Sequence, residues 1–99
     1  METITSRTNP LITHIRKLTV SRKTRRSQGL MVCEGPKMLG EALRWGATLD
    51  TILWEAGGAA VEGIPPTVRE GTVRGDLLRS VAPTQTPQDV LFLCALPDP

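Results

Sequence analysis

Tyrosine is absent from these 99 residues, phenylalanine occurs once, and aromatics make up 3% of the chain. A sheet that stacks bases on aromatic side chains is therefore not expected. Cysteine is scarce too. Cys33 and Cys94 do not make a disulfide framework, and neither has a metal-ligand spacing to the other or to the one histidine. No metal site is expected; the two thiols read as small buried hydrophobes on apolar strands. His14 has no Ser or Cys nucleophile pattern beside it, so an exposed helix position or a nucleic-acid contact suits it better than catalysis. Long apolar runs are missing. The longest, Val90 to Leu96, falls far short of the ~20 residues of a membrane helix, so no membrane partner is expected. No apolar segment of secretory type follows the N-terminal charges, which points to the cytoplasm. Glycines form neither GxGxxG nor a P-loop, so no nucleotide cradle is supported.

What is present fits one globular domain: 39% apolar and 22% charged residues in 10.8 kDa. The net charge of +2 hides a strong asymmetry. Residues 1–29 carry seven basic side chains against Glu2 alone, a net +6, and the remainder carries −4. Arg16, Lys17, Arg22, Lys23, Arg25 and Arg26 fall within eleven positions with no acid among them. A solvated helix face is the ordinary reading of a charge run. Six cations without an intervening acid favour contact with phosphates instead, because Lys and Arg gain affinity by releasing the counterions of nucleic acid. If the stretch is one helix, Lys17, Arg22 and Arg26 share a flank.

Asn9-Pro10 predicts a helix start, with Asn capping free amides and Pro preset for the first turn. Leu11, Ile12, Ile15 and Leu18 form its apolar stripe. Ser21 to Gln28 is a second helical turn or a basic loop, stopped by Gly29. Leu30 to Cys33 reads as a buried strand ended by Glu34-Gly35-Pro36. Lys37 to Trp45 reads as a helix with Met38, Leu39, Ala42 and Leu43 inward and Gly46 closing it. Leu49 to Trp54 is a strand, Ala56 to Ala60 a surface loop, and Thr67 to Glu70 a short strand. Thr72 to Ala82 is helical, with Val73, Leu77, Leu78 and Val81 on one face. Thr84 to Asp89 is a polar turn, and Val90 to Leu96 a central strand. This alternation predicts an α/β domain. Glu34-Gly35 could hold a ligand or an arginine, but spacing alone favours a turn in which Gly supplies an unusual φ. Trp45 and Trp54 read as core or rim packing.

A resemblance then becomes visible. Ile4 to Ile12, Lys17-Leu18, Arg25, Gly29-Leu30, Glu34-Gly35, Glu41-Ala42-Leu43 and Gly46 follow one another as in a known domain. So does Thr84-Gln85-Thr86-Pro87-Gln88 before an apolar strand, which looks like a "T-x-T-P-Q-G" segment. The chain resembles, over nearly its whole length, the N-terminal RNA substrate-binding domain of SpoU/TrmH-type RNA 2'-O-ribose methyltransferases. Two positions depart from that pattern: Leu30 stands where an aromatic is common, and Asp89 replaces the last Gly.

The resemblance implies a small three-layer α/β/α sandwich with a mixed sheet, like the ribosomal proteins that bind kinked RNA. It implies a domain over residues 1–96, with 97–99 opening a linker, that grips structured RNA (ribosomal or transfer) for a separate methyltransferase domain. That second domain would bind S-adenosylmethionine and form a homodimer; no cofactor is expected on these residues, which alone would be inactive and monomeric. Lys17 and Arg25 match the family's basic positions. Asn9, Pro10, Gly29, Glu34 and Gly35 match its structural ones. A stand-alone RNA-binding protein of the same fold, associated with ribosomes, is the alternative.

Overall fold

The computed structural model describes residues 1–57, 61–84 and 89–97. Most of the expected turn at 84–89, the tip of the loop at 56–60 and the end of the expected linker lie outside them. The elements run β1 (Glu2–Ile4), α1 (Pro10–Val20), α2 (Arg22–Gln28), β2 (Leu30–Glu34), α3 (Pro36–Arg44), β3 (Leu49–Glu55), β4 (Arg69–Val73), α4 (Gly75–Val81) and β5 (Val90–Ala95). The strands form one sheet in the order β1-β4-β3-β5-β2. β1, β4 and β3 are parallel, while β5 runs antiparallel to both β3 and β2. The expected mixed sheet is borne out.

Strand side chains alternate between faces, and each face here meets helices. Leu53 of β3 and Leu91 and Leu93 of β5 join Leu11, Ile12, Ile15 and Leu18 of α1 and Leu77, Leu78 and Val81 of α4 in one cluster. Ile52, Trp54, Val90, Phe92 and Cys94 point the other way and pack with Leu39 of α3. The two clusters make the domain three-layered. Burying each large apolar side chain fully contributes ~1.5–3 kcal/mol. Near Leu49 and Thr51 the β3–β5 register shifts by a residue, so Leu49 and Ile52 serve the same cluster.

Three expectations are corrected, and one strand is added. β1 shows no strand pattern in the sequence. It pairs with β4, buries only Ile4, and is fastened by the ion pair of Glu2 with Arg69. That guanidinium holds the Glu2 carboxyl below its ordinary range. Thr72 and Val73 belong to β4, not to the helix, which starts at Gly75. Val73 is buried in the same cluster as Leu77 and Val81, so a strand residue imitates a helical stripe. Met38 is 50% exposed rather than inward, because α3 lies on the sheet along Leu39, Ala42 and Leu43. Trp45 is 82% exposed, whereas Trp54 is in the core as expected.

Candidate nucleic-acid interface

The cationic stretch folds as a helical hairpin. Asn9 Oδ1 accepts from Leu11 N at 2.9 Å and Pro10 takes the first position, which starts α1 as predicted. Ser21 then breaks the chain direction. Its N–H donates to Lys17 O at 2.9 Å to close α1, and its Oγ accepts from Thr24 N at 3.1 Å to open α2. Gly29 ends α2 in the left-handed region at φ 66°. α2 doubles back along α1, because Gln28 Oε1 at its far end is hydrogen-bonded to His14 Nε2 in mid-α1. His14 is therefore half-buried in a tie between the helices.

The break at Ser21 replaces the single flank expected for Lys17, Arg22 and Arg26. Arg22 and Arg26 share a face of α2, four residues apart, and Lys17 sits on α1. Lys17, Arg22, Lys23 and Arg26 are exposed, and Arg16 is half-buried. Arg25 differs: it is half-buried, and its Nη1 donates to Leu18 O at 2.6 Å and to Thr19 O at 3.1 Å. Among the described residues the ion pairs are Arg69–Glu2, Arg74–Asp76 and Arg79–Glu55. None of them uses a cation of the hairpin.

The Glu34-Gly35 pair lies elsewhere, at the turn from β2 into α3. Gly35 is buried at φ 100°, its N–H donates to Val90 O at 2.9 Å, and Pro36 follows at the first helical position. An open groove of 510 Å³ there is lined by Glu34, Lys37 and Glu41 among others. Two carboxylates against one lysine do not extend the cationic surface. Cys33 and Cys94 are free thiols on adjacent strands, with Sγ atoms 4.0 Å apart. Burial pushes the Cys33 thiol up to about 12 and raises Cys94 as well. Among the described residues, no group of three His, Cys, Asp or Glu side chains is placed to hold a metal ion. No helix among them is long and apolar enough to cross a membrane.

Sequence reasoning found the cations but missed what shapes their surface. Ser21, Thr24 and Gln28 make the elbow and the far tie. Ser21 followed by Thr24 at capping distance was the available signal.

The fold and this surface define a small α/β module whose cationic helical hairpin lies outside the ion pairs found among the described residues. Residues 9–91 match the family described as the MRM3-like substrate binding domain, and the chain belongs to that family. The expected substrate-binding domain of SpoU/TrmH type is thereby borne out. An AdoMet-bound rRNA methyltransferase from Sinorhizobium meliloti superimposes with a TM-score of 0.82 at 24% identity, over 97% of this chain and 37% of that one. An RNA 2'-O ribose methyltransferase does so with a TM-score of 0.78 at 26% identity, over 97% of this chain and 38% of that one. The SpoU methyltransferase AviRb from Streptomyces viridochromogenes gives 0.70 at 18% identity, over 90% of this chain and 34% of that one. The chain thus spans 37% and 38% of the length of the first two. A comparison with curated protein sequences finds no match.

Proposed function

We propose that this domain binds structured RNA through the α1–α2 hairpin and delivers it to an RNA 2'-O-ribose methyltransferase domain. The observation that carries the reading is the hairpin's set of cations, none in an ion pair found among the described residues, in a member of a substrate-binding family. Binding here supplies affinity and orientation, which turn encounter into productive geometry. The methyl donor in this reading is S-adenosylmethionine, held outside these residues, and the ribose 2'-hydroxyl is the acceptor. Ribosomal or transfer RNA is the substrate class, the complete enzyme is a homodimer, and it works in the cytoplasm.

The test is a salt series of RNA binding by fluorescence anisotropy, with labelled transfer RNA and a ribosomal RNA fragment. Each neutralised phosphate contributes about 0.7–0.9 to the log–log slope, so five engaged cations give a slope of about −4. Affinity then falls on the order of 10²-fold between about 50 and 200 mM salt. Replacing Arg22, Lys23 and Arg26 together by Gln removes roughly two units of slope. A flat salt response, or a triple variant that binds like the wild type, overturns the proposal.

A further inference from the structure

Arg25 stands apart from its cationic neighbours. The two carbonyls its Nη1 bonds, Leu18 O and Thr19 O, lie in the last turn of α1. A helix has no amides of its own left for these groups. A cation placed there also faces the negative end of the helix dipole. Both bonds use Nη1, so a phosphate could reach this guanidinium only through Nε and Nη2.

α2 needs such a tie. It is seven residues long, buries none of them, and carries Arg22, Lys23, Arg25 and Arg26 close together. An isolated helix of this length does not hold in water. Ser21 secures one end and the Gln28–His14 bond the other, and Arg25 fastens the middle.

We infer that Arg25 is a positioning residue: it pins α2 along α1 so that Arg22, Lys23 and Arg26 face RNA phosphates together, and its contribution to binding is this tether. The inference rests on the RNA-binding reading above and deepens it. A hairpin ordered in advance spares the complex the entropy of ordering it on binding.

The experiment compares Arg25→Gln with Arg26→Gln in the full chain. Anisotropy against labelled transfer RNA is read across a salt series. Millisecond hydrogen–deuterium exchange is read on the free proteins. Arg26→Gln lowers the salt slope by about 0.7–0.9. Arg25→Gln weakens binding about tenfold near 0.1 M salt, the scale of one charge-assisted hydrogen bond, and leaves the slope at the wild-type value. Its residues 22–28 lose exchange protection while β3 and β5 keep theirs. Arg25→Lys, which retains a donor for the carbonyls, recovers part of both; it also serves as the test variant if the Gln form does not fold. The inference is overturned if Arg25→Gln lowers the slope as Arg26→Gln does, or if residues 22–28 exchange at wild-type rates. Absence of salt-dependent RNA binding by the wild type sinks the proposed function instead, and the exchange arm still judges the tether.

Discussion

Gly35 lets the structural and functional readings of the Glu34-Gly35 pair be separated by measurement. It joins β2 to α3 at φ 100° and ψ 143°. Its N–H is bonded to Val90 O at 2.9 Å and its carbonyl accepts from Leu39 N at 3.1 Å, so both peptide planes beside it are held. A side chain on an L-residue at this φ collides with its own backbone, and neither plane is free to turn away. Gly35→Ala is expected to destabilise the domain by about 2–3 kcal/mol, the upper part of the range for a strained backbone. A domain of this size loses ~4–8 °C of Tm per kcal/mol, so melting drops by roughly 10–20 °C. Gly29→Ala is the control. Gly29 sits at φ 66° with no heavy atom within 4 Å of an added methyl, so only the left-handed conformation is penalised. That is about 1 kcal/mol, or roughly 5 °C. Thermal melting by circular dichroism reads the difference. If Gly35→Ala melts at or above Gly29→Ala, the account of this turn is wrong. If it melts like the wild type yet loses RNA affinity, the pair is a ligand site rather than a turn.

Phe92→Ala should lose about 3–5 kcal/mol, because Phe92 is 0% exposed on β5, an inner strand. Urea denaturation with an unchanged m-value checks it. The Cys33 thiol, raised by burial from an ordinary 9.0 to about 12, holds a thiolate fraction near pH 8 on the order of 10³ below that of a free thiol. A disulfide reagent should label it slowly in the native protein and rapidly in denaturant. The same shift sets a pH dependence. The folded state keeps the proton more tightly than the unfolded chain, so this contribution is complete below about 9 and is lost as pH climbs towards about 12. Melting temperature should fall across that window, and less so in Cys33→Ala.

The fold was legible where one physical signal dominated. The Asn9-Pro10 start and the α1 stripe stand as read, and the strand expected over Val90 to Leu96 runs Val90–Ala95. β1 was not, because three residues with one buried side chain show no alternation. Its place comes from pairing with β4 and from Glu2 meeting Arg69, 67 positions away. Val73 misled for a related reason. It sits at helical spacing from Leu77 and Val81, yet all three reach one cluster from two different elements. Within the candidate interface, the cations were visible as a charge run but Arg25 could not be told from Arg26. Only the fold back at Ser21 brings Leu18 O and Thr19 O within reach of its guanidinium.

The small net charge conceals a directional field. Three of the body's four arginines, Arg69, Arg74 and Arg79, are each matched by a carboxylate at contact distance. Such exposed pairs add little stability. Beyond a Debye length of ~8–10 Å, however, each pair looks neutral. The hairpin cations are left to add, because α2 buries nothing and α1 commits only one stripe to the core. Packing thereby frees the outer flank for charge, where six cations lie within eleven positions and their fields add. Reversing this arrangement without touching the hairpin would be informative. Removing Asp76 and Glu55 carboxylates as Asn and Gln unpairs Arg74 and Arg79 and raises the net charge by two. RNA affinity should rise only slightly and the salt slope should hold if the contact is confined to the hairpin; a steeper slope would mean that RNA also reaches α4, which packs against α1.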